Sequence, residues 1–436
     1  MTAPGLPEDG SFVDGAGPQA GDHTGAFLVL MDQSRGEEGV AALTNAGARP
    51  VEPVPADDPA AVTQALDAGA GVLLGEIGVA VVTADPEAHP AMLQAAAAAP
   101  YVLAIEPERV VVALAERSPD FWRGYRAGAN AVLDELVPGT VADVADVPAA
   151  AWEESRYTWG LQAVRAQETC YTGAGVAVAV LDTGLDLAHR DVIGRPVVSA
   201  SFIAGEAVQD GNGHGTHCIG TACGPKEPSQ LPRYGVAPGA AVHVGKVLSD
   251  AGRGADGGIL AGINWAVAQG CRVVSMSLGA PRQVGDLYSR VFEEVAQRAI
   301  ARGTVIVAAA GNDSRRPDPP RPVSHPANCP SILAVAALDR DLAVASFSNA
   351  GLNPDGGQVD VSGPGVDVLS SWPEPQGYRR VRGTSMATPH VAGILALLAE
   401  ARPDAGPAQL KNLLLAHAKR LTLPATDIGA GLVQSP

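Results

Sequence analysis

The amino-acid sequence predicts an α/β protein: a mostly parallel sheet with helices on both faces, preceded by a small α+β unit. Three observations predict it. From about Trp152, strand-length apolar runs alternate with long helical segments. Those runs are apolar at nearly every position, as in strands buried on both faces. Ahead of them, shorter strand-like and helical stretches follow the order β-α-β-β-α-β.

Residues 1–24 are rich in Gly, Pro and Asp and read as a disordered leader. A first domain is expected over 25–115. Its opening run, AFLVLM (26–31), has strand length, and EEGVAALTNAG (37–47) reads as a helix stopped by Gly47. The Pro-rich stretch 49–60 argues against a regular element. GVLLGEIGVAVVTA (71–84) divides between Gly75 and Gly78 into two strand-like halves, and 85–99 reads as a helix with Asp85 as its cap. YVLAIEP (101–107) and RVVVAL (109–114) are again strand-like, giving a split βαβ, ferredoxin-like unit.

Residues 116–153 form a connector rich in small residues. A second domain is expected over 154–422, with a C-terminal tail over 423–436. Its strands are 175–182, 241–248, 271–279, 304–312 and 331–339. Its helices are 257–270, 285–303 and 385–402.

Bulk properties exclude several function classes. A formal net charge of −17 disfavours nucleic acid and anionic membranes as partners. No run of 18 apolar residues exists to span a bilayer. The start, MTAPGLPEDGSFVDG, lacks the basic and apolar regions of a secretory signal, which points to a cytoplasmic protein, with secretion by another route still open. Five cysteines is an odd number, so at least one is free or pairs between chains.

In an open parallel sheet, functional groups gather at the carboxyl ends of strands. Asp182 ends GVAVAVLD, and Asn312 ends TVIVAAAGN. His214 lies in a Gly-rich stretch, and Ser385 opens a long apolar helix after Gly383-Thr384. A serine hydroxyl needs a base to remove its proton, and histidine titrates near the working pH. A buried carboxylate fixes the imidazole tautomer. A helix N-terminus and a side-chain amide are suited to stabilise an oxyanion.

Blander roles compete with these. Asp182-Thr183-Gly184 alone would also suit an aspartic dyad, but no second such motif occurs. His214, His217, Cys218 and Cys223 are zinc-ligand types without a common zinc spacing. Ser385 also suits a plain helix cap.

VAVLDTGLD (178–186), GNGHGTHCIGT (211–221), VAAAGN (307–312) and GTSMATPHVAG (383–393) resemble the four signature blocks of the subtilisin-like serine proteases, in the order Asp, His, Asn, Ser. The resemblance implies a serine endopeptidase with Asp182 as orienting carboxylate, His214 as base, Ser385 as nucleophile and Asn312 as oxyanion donor. Cys218 is similar to the cysteine near the active site in the proteinase K branch. SMSLGA (275–280) resembles the segment lining the first specificity pocket. Ser277, Leu278 and Gly279 would then pair with extended protein or peptide substrate, and Ala308, Ala309 and Ala310 would form the pocket floor.

YVLAIEPERVVV (101–112) resembles the end of the family's inhibitory propeptide, and WGLQAVRA (159–166) the start of the mature enzyme. The N-terminal domain is therefore expected to act as the chain's own inhibitor, released by a cut between about 115 and 155. No cofactor is required for the chemistry. A structural Ca²⁺ is implied near Asp360 with the carbonyls of Pro330 and Ile332. A tighter site would use Asp191, although the loop 223–238 lacks the family's Asn. A catalytically silent protein-binding module on a protease fold is the alternative reading, motivated by the long connector and the missing signal.

Overall fold

The computed structural model describes residues 21–56, 58–85, 87–114, 152–230 and 232–436. The leader up to residue 20 and nearly all of the connector lie outside the described residues.

The N-terminal unit runs β1 (His23–Met31), α1 (Gly36–Asn45), β2 (Val51–Val54), α2 (Pro59–Asp67), β3 (Gly71–Leu74), β4 (Val79–Val82), α3 (His89–Ala98) and β5 (Val102–Ala113). The Pro-rich stretch expected to be irregular, 49–60, holds β2 and the start of α2. Pro53 is tolerated because β2 is an edge strand, paired only with β3. Pro59 opens α2, where its missing N–H costs nothing, and Asp58 caps that helix by accepting from Ala61 N at 3.0 Å. The two runs expected as separate strands before and after Glu108 are one strand, β5. Order also begins earlier than expected, because β1 starts at His23, within the anticipated leader.

After the connector come α4 (Trp159–Ala163), β6 (Ala177–Asp182), β7 (Val197–Ser201), α5 (His214–Cys223), β8 (Ala241–Lys246), β9 (Arg253–Ala255), α6 (Asp256–Ala268), β10 (Val273–Met276) and β11 (Leu278–Gly279). Next are α7 (Arg290–Ala301), β12 (Val305–Ala309), β13 (Leu333–Leu338), β14 (Val361–Pro364), β15 (Val368–Ser371), β16 (Tyr378–Val381), α8 (Thr384–Ala401), α9 (Pro407–His417) and α10 (Ala425–Ile428).

Seven strands form a parallel sheet in the order β14-β13-β12-β10-β6-β8-β7. Their side chains alternate between two cores. Val178, Val180 and Val273 join α5 and α8 on one face. Ala179, Leu181, Val274 and Met276 join α6 and α7 on the other. Both faces are covered along the central strands, which is why β12 and β13 are apolar throughout.

The N-terminal sheet is two-faced as well. Val29 and Met31 pack with Leu43 of α1 and Met92 of α3. Leu28, Leu30, Val72 and Val81 share a core with Ile259 of α6 and Phe292 of α7. The sheet continues through β5 to β11 and β9, which belong to the larger unit.

Residues 423–436, expected as a tail, are built in: Leu432 and Val433 are buried, and Val433 N donates to Ser362 O at 2.9 Å. Among the described residues, no helix is long and apolar enough to cross a membrane.

Candidate active site

Asp182 and His214 meet because β6 ends beside the first turn of α5. Gly215 permits the approach, since a Cβ there would collide with the backbone of Gly184. His214 Nδ1–H donates to Asp182 Oδ1 at 2.7 Å, and Thr183 N donates to the same oxygen at 2.7 Å. Both side chains are buried. Burial alone would lower the His214 pKa, but the adjacent Asp182 carboxylate more than offsets it and holds the imidazole well above its usual value.

The His214 block, too Gly-rich to be a strand, is a helix that begins at His214 itself. Cys218, one turn on, lies 3.9 Å from His214 Nδ1. Burial pushes its thiol pKa up, so it stays protonated. Asp182, His214 and Cys218 are the only His, Cys, Asp and Glu cluster of metal-binding geometry among the described residues. The Asp182–His214 hydrogen bond already uses two of those ligand atoms. His217 Nε2–H donates to Val368 O (2.9 Å), and His390 Nδ1–H donates to Met386 O (2.7 Å). Burial lowers their pKa values to about 3 and about 4, so both are neutral packed histidines.

Ser385 is the second residue of α8, where backbone N–H groups lack intrahelical partners. Its hydroxyl lies against Leu114 O and 3.0 Å from Ser277 O. Four residues on, Pro389 has no N–H to give the Ser385 carbonyl. Ser277 Oγ supplies a donor instead at 2.9 Å, and Cys218 Sγ a weaker one at 3.5 Å.

Asn312 follows β12 and faces the same point. Its Oδ1 accepts from Thr384 N and Thr384 Oγ1, each at 2.9 Å. That fixes the amide so that Nδ2 donates to Leu114 O at 2.5 Å. The Leu114 carbonyl is thus held by both Asn312 and Ser385.

Of the remaining predicted residues, Ser277, Leu278 and Gly279 lie against the chain that ends at Leu114. Leu114 N donates to Ser277 O at 3.1 Å. Leu278 and Gly279 pair antiparallel with Ala113 and Val112. Ala308, Ala309 and Ala310 are buried at the end of β12. Sequence reasoning missed the opposite wall: β9 pairs with Val110–Val112, and Gly252 O accepts from Ala113 N at 3.0 Å. The turn-forming SDAGRGA (249–255) was its only local signal.

The anticipated calcium positions carry other partners. Asp360 receives Ala334 N at 2.9 Å and the Lys411 ammonium at 3.0 Å. Burial raises its pKa, with Lys411 opposing. Pro330 lines the same cleft, and Ile332 is buried just before β13. Asp191 receives Tyr234 OH at 2.7 Å, Tyr378 OH at 2.9 Å and Ser229 N at 2.6 Å. Burial opposes ionisation there, but these donors hold its pKa below the usual carboxylate range. Calcium needs converging free oxygen lone pairs, and these carboxylates are already turned to cationic or hydroxyl donors, so neither set fits the ion.

A model of the subtilase family matches residues 173–431. The chain belongs to the subtilase family. Subtilisin DY of Bacillus licheniformis is 37% identical over 270 residues, covering 62% of this chain and 90% of its own length. Subtilisin BL of Lederbergia lenta is 39% identical over 282 residues, or 64% of this chain and 96% of its own. An alkaline protease of Shouchella clausii is 39% identical over 282 residues, or 64% of this chain and 68% of its own.

This subtilase is therefore a serine endopeptidase, a hydrolase acting on peptide bonds of proteins or peptides; the subtilisins it resembles need no cofactor for catalysis. The cytoplasmic placement expected from the N-terminus is corrected: the subtilase's relatives are secreted extracellular subtilisins.

Proposed function

We propose that Asp182, His214 and Ser385 form the catalytic triad, with Asn312 as oxyanion donor, in a protease made as a self-inhibited precursor. The observation that carries this reading is the Leu114 carbonyl. It sits against the Ser385 hydroxyl and accepts from Asn312 Nδ2 at 2.5 Å, as a scissile carbonyl would.

The chain leading to Leu114 lies as an extended substrate would. β5 enters between β9 and β11 and pairs antiparallel with both. Leu114 fills the first specificity pocket, close against Gly279, where a Cβ would lie 3.1 Å from Leu114 Cδ1. Ser277, Leu278 and Gly279 are the substrate-pairing segment, and Ala308–Ala310 the small-residue floor behind it.

The N-terminal unit also grips the larger one by helix ends. Glu106 Oε1 accepts from Arg290 N at 2.7 Å at the start of α7, and Glu108 Oε1 accepts from Gly257 N at 2.8 Å at the start of α6. Carboxylates suit these positions because helix N-termini carry partial positive charge. Residues 21–114 thus act as propeptide and inhibitor. The buried Cys218 beside His214 favours the proteinase K branch.

In catalysis, His214 Nε2 takes the Ser385 proton as Oγ attacks the carbonyl carbon. Asn312 Nδ2 and the α8 N-terminus stabilise the oxyanion. His214 then protonates the leaving amine, and water hydrolyses the acyl-enzyme by the same route in reverse. Asp182 holds the Nδ1–H tautomer throughout. In the precursor the Ser385 hydroxyl is turned to Leu114 O and Ser277 O rather than to His214.

A fluorophosphonate probe on the processed enzyme tests the reading. Labelling of Ser385, lost in Ser385→Ala together with self-cleavage, is the expected result. A folded, propeptide-free enzyme that takes no label would mark the fold as a silent binding module.

A further inference from the structure

We infer that Asp210 is a positioning residue that clamps the strand carrying Asp182 to the helix carrying His214; this rests on the triad assignment above. Asp210 is 3% exposed. Its Oδ1 accepts from Thr183 Oγ1 at 2.9 Å, Asn212 N at 3.0 Å and Gly213 N at 2.8 Å. Its Oδ2 accepts from Thr216 N at 2.8 Å and Thr216 Oγ1 at 2.7 Å.

These five donors come from two places. Thr183 immediately follows Asp182, whereas residues 212–216 form the approach and first turn of α5. The two hydroxyls extend the link in both directions. Thr183 Oγ1 accepts from Gly215 N at 2.8 Å, and Thr216 Oγ1 accepts from Asp186 N at 3.0 Å. Each hydroxyl therefore spans the gap between the exit turn of β6 and α5. Asp210 gathers both.

The carboxylate is required rather than a generic polar group. All five partners are donors, and a carboxylate is acceptor-only. An amide would direct its NH₂ at other donors and leave buried N–H groups unpaired. A negative charge also suits the N-terminus of the ten-residue α5. Without the clamp, His214 loses its fixed relation to Asp182 and Ser385, and small misplacements of reacting groups cost turnover steeply.

The test measures kcat and KM of processed enzyme on a peptide p-nitroanilide ending in Leu. The variants are Asp210→Asn, Thr183→Val and Thr183→Ser. Asp210→Asn is expected to lose about 10- to 100-fold in kcat, with KM changed by less than about twofold. Thr183→Val is expected to lose about tenfold, and Thr183→Ser, which keeps the bridging hydroxyl, restores most of it.

A folded Asp210→Asn enzyme with wild-type kcat, or with its whole loss in KM, overturns the inference. Should Asp210→Asn not fold, equal kcat values for Thr183→Val and Thr183→Ser overturn it. Failure of the triad assignment itself reads differently: wild-type enzyme would then be as inactive as Ser385→Ala.

Discussion

The side-chain amide of Asn312 donates to the carbonyl of Leu114 at 2.5 Å, across 198 residues of chain. The geometry is preorganised, because Thr384 occupies the amide oxygen with two donors and the NH₂ has one direction left. Removing it by Asn312→Ala should lower turnover by about 10²–10³ and leave KM nearly unchanged, since the bond strengthens as the oxyanion forms. That magnitude was measured on subtilisin itself and is borrowed from it. Steady-state kinetics on the processed enzyme check the split.

Leu114 places the expected self-cleavage after residue 114. Mass spectrometry of the wild-type chain should find an N-terminal fragment ending at Leu114, with the full 44.2 kDa chain persisting in Ser385→Ala. Leu114→Asp should also stay uncut, because burying an unpaired carboxylate in the place of the Leu114 side chain costs on the order of several kcal/mol. Leu114→Met, similar in volume and polarity, should still be cut.

The pH profile follows from His214. Its imidazole pKa is raised well above 6.5 by Asp182, and the base must be neutral to act. Activity should therefore be lost on the acid side above pH 6.5 and climb into the alkaline range. An acid limb of kcat/KM lying below 6.5 would contradict the direction of the shift. The sign for stability is opposite. A raised folded-state pKa makes the Asp182–His214 pair stabilising at low pH, and that contribution fades as pH rises through the folded value.

Glu108 makes the propeptide contact pH-dependent. Burial raises its docked pKa, with Thr24 and Gly257 as opposing donors. A carboxyl whose pKa rises on docking takes up a proton, so docking tightens as pH falls and loosens as pH rises through the docked value. Inhibition of the cut complex, followed as residual activity against pH, should weaken toward alkaline pH. Glu108→Gln should flatten that dependence.

Chelation should have little effect. With Lys411 on Asp360 and two tyrosines on Asp191, EDTA should leave the thermal midpoint unchanged. Lys411→Met and Tyr378→Phe should each destabilise by about 1–3 kcal/mol by leaving a part-buried carboxylate short of a partner. Differential scanning calorimetry with and without chelator reads both effects. A large calcium-dependent rise in the midpoint would show that the ion displaces these donors.

The amino-acid sequence by itself determined what depends on neighbours along the chain. Apolar runs such as 177–181 and 305–309 are legible because burial on both faces leaves no polar positions. Asp182, His214, Asn312 and Ser385 are legible as candidates because each sits in a short motif of neighbouring residues. The tertiary structure decided what depends on distant partners. Pro53 sits in a strand only because that strand lies at a sheet edge. Pro389 inside α8 leaves the Ser385 carbonyl to Ser277 and Cys218, 108 and 167 residues away. Asp210 is an ordinary loop residue until Thr183 and Thr216 fold onto it. Leu114 becomes a bound carbonyl only when β5 enters between β9 and β11. Local propensity cannot encode such pairings, because their energy comes from hydrogen bonds and buried surface formed once the distant segments have met.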